Sequence, residues 1–380
     1  MARPRDPELV ELLKKFVCVR KIQINDLDFA RFEFDFELTW SICLLNGDGT
    51  LYGRYGTRSV RDRKRNVKFD PDVSHLERDG MPEDMSLEGF KSSLRATLAL
   101  HARYQSGESE RLRTQLKAKT GDAWPWPNPA SMPGVKRSCT HCHQVNSNLV
   151  LHHRKVTPMA VPDSILWSFP MPDELGMSLD PERAVRVARV SPGSEADKAG
   201  LQKGDQVLAM AGQPMLSPAD VQWVLHHAPE DKHLHIKVSR TAKASSVDTA
   251  ETVSFADLRL FIPKDWRRRG SFAWRWRSIR ETLARVLDGE AWHCNDLPPE
   301  RRGQLKIDEE SLAIEVLGNM RKKEPRLQTG DVILAVDDNA NIRNTSEFYA
   351  YIFQRKLAGS QLVLTVLREG SRIRIVIPVS

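Results

Sequence analysis

The sequence has few cysteines and no long apolar run. Its five cysteines are scattered over 380 residues, and only Cys139 and Cys142 lie near each other, which argues against a disulfide framework. No apolar run approaches the ~18 residues that a membrane span needs, and the polar residues 1–9 lack a signal-peptide core. As the sequence is written we expect a cytoplasmic protein, or an exported, periplasmic one if its N-terminus is truncated or misassigned.

The excess of positive over negative charge is also small. Lysine and arginine outnumber aspartate and glutamate by 57 to 50, a net charge of +7, and the segment from Phe261 to Arg280 contributes +6 of it. The arginines of this Arg/Trp segment alternate with Trp266, Trp274 and Trp276. We interpret it as a strap packed on neighbouring structure through cation–π contacts and ion pairs. A nucleic-acid site is not favoured, and contact with a membrane surface stays open.

An internal repeat dominates the second half of the chain. The sequence GDQVLAM at Gly204–Met210 recurs as GDVILAV at Gly330–Val336. A Gly-Asp pair is typical of a tight turn that leads into a strand. After each copy we predict a helix and then an alternating strand that ends in arginine, namely Ser217–His227 with Leu234–Arg240, and Ser346–Leu357 with Leu362–Arg368.

This order of short strands, Gly-Asp turn and helix resembles the PDZ domain. The resemblance implies two PDZ-like β-sandwich or barrel modules, at 165–255 and 306–380, joined by the Arg/Trp-rich segment 256–305. It also implies that the loop Glu174–Met177 binds the C-terminal carboxylate of a peptide through backbone N–H groups. The peptide-binding residues that follow from it are Leu175, Gly176, Met177, Ser178, Val221 and Leu225. In the second module Ala313 replaces the loop glycine within Ser311–Ile314, so we expect no ligand there.

The N-terminal third is predicted to mix helices and strands. The patterns indicate a helix at Asp6–Lys15, a strand at Phe16–Ile24, a hairpin that turns at Asn46–Gly49, and a helix at Ser86–Tyr104. This order resembles the second half of a thioredoxin fold. With the tandem modules, the whole chain resembles the bacterial thioredoxin-like/PDZ domain-containing (seleno)protein family.

The family resemblance implies a multidomain α+β protein. Its partial thioredoxin-like α/β domain covers 1–120 and is followed by a linker at 121–164 and by the two modules. No Cys-x-x-Cys precedes Asp6, and no proline stands near Thr39, where the fold needs a cis-proline. We therefore expect a degenerate thioredoxin-like scaffold without thiol oxidoreductase activity.

The linker carries a motif that can hold a cofactor. Cys139-Thr140-His141-Cys142-His143 fits the C-x-x-C-H pattern of c-type haem attachment. Cys139 and Cys142 would bind the haem through thioethers, and His143 would be the ligand of the iron. A zinc site, a redox dithiol and two structural cysteines are the open alternatives.

Two functions from different classes follow from the sequence. The first is a non-enzymatic protein that binds an extended peptide, or the C-terminus of a partner protein, through tandem PDZ modules. The alternative is a redox or electron-transfer protein with c-type haem. The sequence contains no Gly-x-Ser-x-Gly elbow, no His-Glu-x-x-His motif and no phosphate loop, so we expect a binding protein rather than an enzyme.

Overall fold

The computed structural model describes residues 6–22, 24, 27–29, 31–38, 40–56, 85–108, 110–112, 116, 141–156, 161–242, 252–319, 325–337 and 341–380. The chain divides into two compact units: the first comprises Met1–Val67, Asp72–Cys139 and Phe169–Gly270, and the second Lys68–Pro71, Thr140–Ser168 and Ser271–Ser380. It is a multidomain α+β protein, as predicted. Among the described helices, none has the length and apolar character that crossing a bilayer requires.

The elements are numbered in chain order. The α-helices are α1 Pro7–Leu13, α2 Leu87–Arg103, α3 Cys142–Val156, α4 Asp163–Leu166, α5 Glu195–Lys198, α6 Pro218–His226, α7 Trp276–Val286, α8 Pro299–Leu305 and α9 Thr345–Arg355. The strands are β1 Ile42–Leu45, β2 Leu51–Tyr55, β3 Met177–Leu179, β4 Val187–Val190, β5 Gln206–Met210, β6 Gln213–Pro214, β7 Lys232–Ala242, β8 Thr252–Ile262, β9 Trp292–Asp296, β10 Ile314–Asn319, β11 Val332–Val336, β12 Gln361–Arg368 and β13 Ser371–Pro378.

Both N-terminal helices begin at the residues that the sequence indicates. Asp6 caps α1, because its Oδ1 accepts the Leu9 N–H at 2.7 Å. Ser86 caps α2 and accepts the Gly89 N–H at 2.9 Å. Such caps satisfy amides that the first helical turn leaves without an acceptor. β1 and β2 form the predicted hairpin.

The strand predicted at Phe16–Ile24 is not formed in the described residues. Residues 17–22 have no regular structure, and the side chains of Val17 and Val19 are 93% and 86% exposed. Alternating apolar residues form a strand only where a neighbouring strand and a core cover one face. Because β1 and β2 stay a two-stranded sheet, the described part of the N-terminal region shows no thioredoxin-like sheet.

Module 1, as the structure defines it, consists of β3–β8 with α5 and α6, in the first unit. Its sheet has the strand order β6-β5-β7-β8 and lies beside the two-stranded sheet β3-β4. The apolar core includes Leu175, Val207, Val221 and Ile236. β7 and β8 pair over their whole length, so the module extends to Ile262 rather than ending at 255.

Module 2 consists of β9–β13 with α9, in the second unit. Its five strands have the order β13-β12-β11-β10-β9, and its core includes Trp292, Phe348 and Leu364. β9 lies inside the stretch 256–305 that the sequence assigned to a connecting segment. It pairs with β10 and is therefore a strand of the module.

The Gly-Asp repeat builds the same turn in both modules. Asp205 accepts the amide N–H three residues earlier at 2.9 Å, and Arg240 donates to both of its oxygens. Asp331 accepts the corresponding amide at 2.8 Å, and Arg368 donates to both oxygens. The two aspartates are 1% and 2% exposed. The arginine that ends each predicted strand therefore neutralises a buried carboxylate.

Candidate peptide-binding groove

The predicted carboxylate loop of module 1 is a single 3₁₀ turn. Pro172–Leu175 forms this turn, and Gly176 ends it with a φ of +85°. A β-carbon at Gly176 would collide with the Ser194 side chain, so both the backbone angle and the space require glycine. The Gly176 N–H donates to the Asp173 carbonyl at 2.9 Å. It is therefore not available to a peptide carboxylate.

The strand after this loop has an unpaired outer edge. Ser191 N–H donates to Gly176 O at 2.9 Å, which continues the pairing of β3 with β4. Because successive residues of a strand direct their backbone groups to opposite sides, the N–H and C=O of Met177 point away from β4. Within the described chain β3 pairs with no strand besides β4. Met177 thus has a backbone donor and a backbone acceptor without a strand partner, and the residue is 0% exposed.

All the predicted peptide-binding residues are buried or nearly so. They are Leu175, Gly176, Met177, Ser178, Val221 and Leu225. Val221 and Leu225 are 0% exposed and belong to the core of module 1. These two residues hold α6 against the sheet, and a side chain that turns toward β3 must come from another position of the helix.

That position is Gln222, which the sequence reading missed. Its Nε2 donates to the carbonyl oxygen of Phe169 at 3.3 Å and approaches the sulfur of Met171 at 3.0 Å. The Phe169 ring stacks on His226 with centroids 4.5 Å apart. The segment 169–171 therefore lies along α6 beside the loop. The sequence does contain a signal for this role: the core residues at 221, 224, 225 and 228 are spaced along one face of the helix, which leaves Gln222 on a different face.

The N-terminal region covers the opposite side of α6. Asp220 accepts the N–H of Arg54 in β2 at 3.1 Å, and Ser217 donates to the carbonyl of the same residue. Trp223 Nε1 donates to a carboxylate oxygen of Glu33 at 2.8 Å. The side chain of Arg54 lies over the Trp223 ring, 4.8 Å from its centroid. The helix is thus fixed by the hairpin on one side and by segment 169–171 on the other.

Glu33 forms an ion pair at the C-terminal end of α6. Its carboxylate lies 3.1 Å from His227 Nε2, and His227 Nδ1 donates to the Trp223 carbonyl at 2.9 Å. Burial by itself lowers the pKa of His227, but the hydrogen bond and charge of Glu33 outweigh it and raise the pKa. Burial raises the pKa of Glu33, and His227, His226 and Trp223 outweigh it and lower the pKa.

His226 joins these two residues in a cluster whose ligand atoms all lie within 4.8 Å of one another. Two histidines and a glutamate are a ligand set that Zn²⁺ takes. However, the Phe169 N–H faces His226 Nδ1 at 3.4 Å, so the proton of a neutral ring lies on Nε2, the atom that faces Glu33. A metal-binding nitrogen must be free of its proton. The arrangement therefore fits a hydrogen-bonded ion pair better than a metal site.

The first half of the Arg/Trp segment packs on module 1. Trp266 is 0% exposed in the module core. Arg267 donates to the carbonyls of Leu225, His226 and Ala228 at 3.0–3.2 Å, which satisfies acceptors that the end of a helix leaves without partners. Arg269 donates to both carboxylate oxygens of Glu195. These contacts support the strap interpretation.

The second half of the segment lies in the second unit. The Arg275 guanidinium lies over the Trp274 ring at 4.4 Å. Arg277 and Arg280 lie over Trp276 at 5.6 Å and 5.1 Å. Both tryptophans are half-buried. The basic residues are thus engaged by the rings next to them, and the membrane-surface contact stays a prediction.

β9 is the counterpart of β3 in module 2. Val187 exchanges backbone hydrogen bonds with the Gly-Asp turn of module 1, and Val316 does so with the turn of module 2. Val187 stands opposite Leu179, and Val316 stands opposite Cys294. Trp292 therefore corresponds to Met177. The stretch Ser311–Ile314, which the sequence reading matched to the carboxylate loop, leads instead into the counterpart of β4.

A tyrosine occupies the outer edge of β9. The Cys294 N–H donates to the Tyr349 hydroxyl at 3.0 Å, and this hydroxyl faces the Trp292 carbonyl at 3.4 Å. Tyr349 lies five residues after the N-cap Asn344 of α9, as Gln222 lies five residues after the N-cap Ser217 of α6. Two of the outward backbone groups of β9, the Trp292 carbonyl and the Cys294 N–H, are therefore already bonded in module 2.

The loop before β9 holds an internal carboxylate. Glu290 is 0% exposed and corresponds to Leu175 of module 1. It accepts hydrogen bonds from Trp292 Nε1 at 2.9 Å, Asn319 Nδ2 at 2.7 Å and the Arg326 N–H at 3.2 Å. These donors satisfy the buried charge. The loop is thus built to hold a carboxylate of the chain itself.

The Cys-x-x-Cys-His motif is only partly described. Cys139 lies outside the described residues, Cys142 begins α3, and His143 follows it. His143 Nε2 lies 3.3 Å from a carboxylate oxygen of Glu281, and its ring stacks on His141 at 5.7 Å. The described atoms give His143 a carboxylate neighbour, and haem ligation by Cys139, Cys142 and His143 stays a prediction.

Comparison with protein families identifies module 1. A family model described as a PDZ domain matches residues 186–240, which run from the start of β4 into β7. A PDZ domain is therefore present, as predicted.

Two curated proteins are similar to about half of the chain. A "Probable periplasmic serine endoprotease DegP-like" from Marinomonas sp. (strain MWYL1) is 25% identical over 194 residues, 50% of this chain and 36% of that protein. A protein of the same name from Rickettsia conorii (strain ATCC VR-613 / Malish 7) is 21% identical over 198 residues, 52% of this chain and 37% of that protein. The chain spans little more than a third of the length of these relatives.

Solved structures of the HtrA-type protease AlgW also match in part. One contains a tripeptide and gives a TM-score of 0.21 at 15% identity, covering 39% of this chain and 60% of that chain. Another contains a decapeptide and gives 0.20 at 15% identity, covering 39% and 49%. TM-scores this low carry no argument.

The curated relatives correct the functional prediction. Because they are named serine endoproteases, the prediction of a non-enzymatic binding protein is wrong, and so is its alternative of a haem-bearing electron-transfer protein. The expectation that the chain is not an enzyme is corrected on the same ground. Nothing in the comparisons supports a thioredoxin-like or selenoprotein family.

Proposed function

We propose that this protein acts in serine endoproteolysis of the DegP-like kind, and that module 1 binds an extended peptide of the substrate. The similarity to DegP-like endoproteases supports the reaction class. The peptide-binding role is supported by the PDZ match and by the outer edge of β3. Since those relatives are named periplasmic, we also propose that the protein works outside the cytoplasm.

The single observation that supports the peptide-binding role is the outer edge of β3 at Met177, which pairs with no strand of the described chain. A peptide strand that adds to β3 gains main-chain hydrogen bonds to the N–H and C=O of this residue. Gln222 on α6 faces the same groove and can reach a peptide carbonyl if segment 169–171 moves. Module 1 would then bind the backbone of an extended chain rather than a particular side chain.

Module 2 has a structural role in this proposal. The Tyr349 hydroxyl bridges the outer edge of β9, and Glu290 occupies the loop before it with internal hydrogen bonds. A peptide could pair with β9 only after breaking these bonds. We therefore assign peptide recognition to module 1 alone.

A fluorophosphonate probe tests the proteolytic part of the proposal. The full chain is incubated with reduced, carboxymethylated lactalbumin, a permanently unfolded protein, with and without the probe. We expect cleavage that the probe abolishes, and mass spectrometry should find one modified serine. No cleavage, together with no modified serine, contradicts the proteolytic role.

A matched variant tests the peptide-binding part separately. Gln222→Tyr introduces into module 1 the residue that closes module 2, and we expect it to weaken lactalbumin binding at least about tenfold. Gln354→Tyr on α9 adds the same side chain at a half-buried site of module 2 and should leave binding unchanged. Equal binding by all three proteins contradicts a site at β3, whatever the result with the probe.

A further inference from the structure

Strand β8 presents an exposed apolar face at the end of a sheet. It is the terminal strand in the order β6-β5-β7-β8. Three of its large side chains are among the most exposed apolar residues described: Phe255 is 67% exposed, Val253 54% and Phe261 40%. They alternate along the strand and so share one face. A long edge strand with exposed apolar residues and no proline is the feature that leads sheets to pair with other chains.

The backbone of β8 is oriented for such pairing. The Ala211 N–H donates to the His235 carbonyl, so His235 directs its backbone groups toward β5. Because backbone groups alternate in direction along a strand, the even-numbered residues of β7 direct their N–H and C=O groups toward β8. The register pairs these residues with even-numbered residues of β8. The bond from Asp231 N–H to the Ile262 carbonyl agrees with this. The odd-numbered residues 253–261 therefore direct their N–H and C=O groups outward.

The outward residues of β8 are complementary to themselves. If two copies pair antiparallel about Leu258, Asp257 of each copy stands opposite Arg259 of the other, and Phe255 stands opposite Phe261. Each pair consists of outward-facing residues, so each forms ladder hydrogen bonds. Opposite charges and aromatic side chains directly across a ladder stabilise it, whereas like charges destabilise it. Pairing about Asp257 instead would bring two aspartates together.

Both charged side chains are available for this contact. Asp257 and Arg259 are exposed, and within the described part of the chain neither side chain forms an ion pair or hydrogen bond. The inner face of β8 is already used, because Leu260 and Ile262 are buried in the core of module 1. A partner must therefore add at the edge rather than on the inner face.

We propose that β8 pairs with β8 of a second copy of this chain, antiparallel about Leu258, and joins two four-stranded sheets into one. A two-fold axis through the pair makes the contact closed, because each copy uses the same patch. Dimerisation leaves β3 and its groove on module 1 free, since β3 belongs to the other sheet.

Sedimentation velocity of the full chain, at concentrations from about 1 to 100 µM, tests the proposal. We expect a monomer–dimer equilibrium. Asp257→Arg or Arg259→Asp alone replaces two attractive pairs by two repulsive ones and should weaken dimerisation at least about tenfold. The double variant Asp257→Arg/Arg259→Asp restores opposite charges and should dimerise like the original chain.

Mixing the two single variants gives the sharpest result. Each homodimer has like charges in register, whereas in the mixed dimer positions 257 and 259 are both basic on one chain and both acidic on the other. Both cross-strand pairs are then attractive, so an equimolar mixture should dimerise when neither variant does alone. Lys203→Asp, at an exposed position in the turn before β5, is the charge-reversal control and should change nothing. A monomer at every concentration, or a dimer that ignores both single reversals, overturns the proposal.

Discussion

The two strands β3 and β9 hold the same place in their sheets and differ in what meets their outer backbone. On β3, the outward N–H and C=O of Met177 meet no other strand of the described chain. On β9, the Trp292 carbonyl and Cys294 N–H face the Tyr349 hydroxyl. The difference comes from one helix position, which is Gln222 in module 1 and Tyr349 in module 2. One copy of the repeat keeps an edge for strand addition, and the other has closed it.

The loops that precede β3 and β9 also differ in the residues that fill them. Module 1 has Leu175 and Gly176 where module 2 has Glu290 and Ala291. Leu175 packs in the core, and Gly176 gives the loop its positive φ. Glu290 instead collects three internal donors. A PDZ-like sheet therefore does not by itself imply a peptide site, because side chains at a few positions decide it.

Among substitutions that remove the differences between the two modules, we expect the largest effect from Glu290→Leu. It gives module 2 the residue that module 1 has at the corresponding position, Leu175. One buried donor, Trp292 Nε1, and two half-buried ones lose their acceptor, and the stability of module 2 should fall by on the order of 3 kcal/mol. Hydrogen exchange of the full chain should show faster exchange in β9–β13 and no change in β5–β8.

Glu315→Leu is the control for that change. Glu315 is 22% exposed and pairs with Arg301, which is 46% exposed, so its loss should cost at most about 1 kcal/mol. Equal effects of the two substitutions would show that the Glu290 carboxylate is not specially held.

A smaller effect is expected from Tyr349→Phe, which reopens the edge of β9. Removal of the hydroxyl leaves the buried Cys294 N–H without an acceptor and should cost about 1 to 2 kcal/mol. The Cys294 amide should exchange faster. Tyr351→Phe also removes a hydroxyl from α9, one that donates to Asp337 at 2.7 Å, and should leave the Cys294 amide unchanged. Unaltered exchange at Cys294 in Tyr349→Phe would contradict the bridging role.

The smallest effect is a pH dependence of the contact between segment 31–38 and helix α6 of module 1. The raised pKa of His227 stabilises the folded state fully below its usual value of 6.5, and this is lost as pH rises through the folded pKa. The lowered pKa of Glu33 stabilises it above its usual 4.5, and this is lost as pH falls through the folded pKa. Segment 31–38 should therefore hold α6 most firmly between about pH 4.5 and 6.5.

Hydrogen exchange of residues 31–38 at pH 6 and pH 8, corrected for intrinsic rates, measures this dependence. We expect greater protection at pH 6 in the original chain and no difference in His227→Gln. The counterpart position in module 2 is Gln354, which does not titrate, so α9 should show no such change. A pH dependence that survives in His227→Gln would assign it to another group.

Local signals predicted much of the fold. The caps at Asp6 and Ser86 and the two Gly-Asp turns lie where their residue types indicate, because each satisfies nearby backbone groups within a few residues. The prediction of a strand at Phe16–Ile24 was wrong, because an alternating pattern forms a strand only beside a neighbouring strand. The local sequence does not show whether such a neighbour is present. β9 was missed because helix α8 separates it from β10, whereas β3 and β4 are joined by a short connection, so the second copy was aligned one strand too late.

The same limit applied to the candidate site. The loop glycine at 176 was recognisable from its motif, but Gln222 and Tyr349 act across the groove on backbone groups of another strand. Their roles depend on which face of the helix meets the sheet. The ion pair of Glu33 with His227 joins residues far apart in sequence, and no local pattern indicates it.

Hydrogen exchange of the full chain with and without saturating reduced, carboxymethylated lactalbumin tests the central claim most directly. The amides of β3, Met177–Leu179, should exchange at least about tenfold more slowly with the unfolded protein bound, and those of β9, Trp292–Asp296, should not change. Gln222→Tyr should remove the protection of β3. Protection of β9, or none at β3, would contradict the account that module 1 holds the open groove and module 2 the closed one.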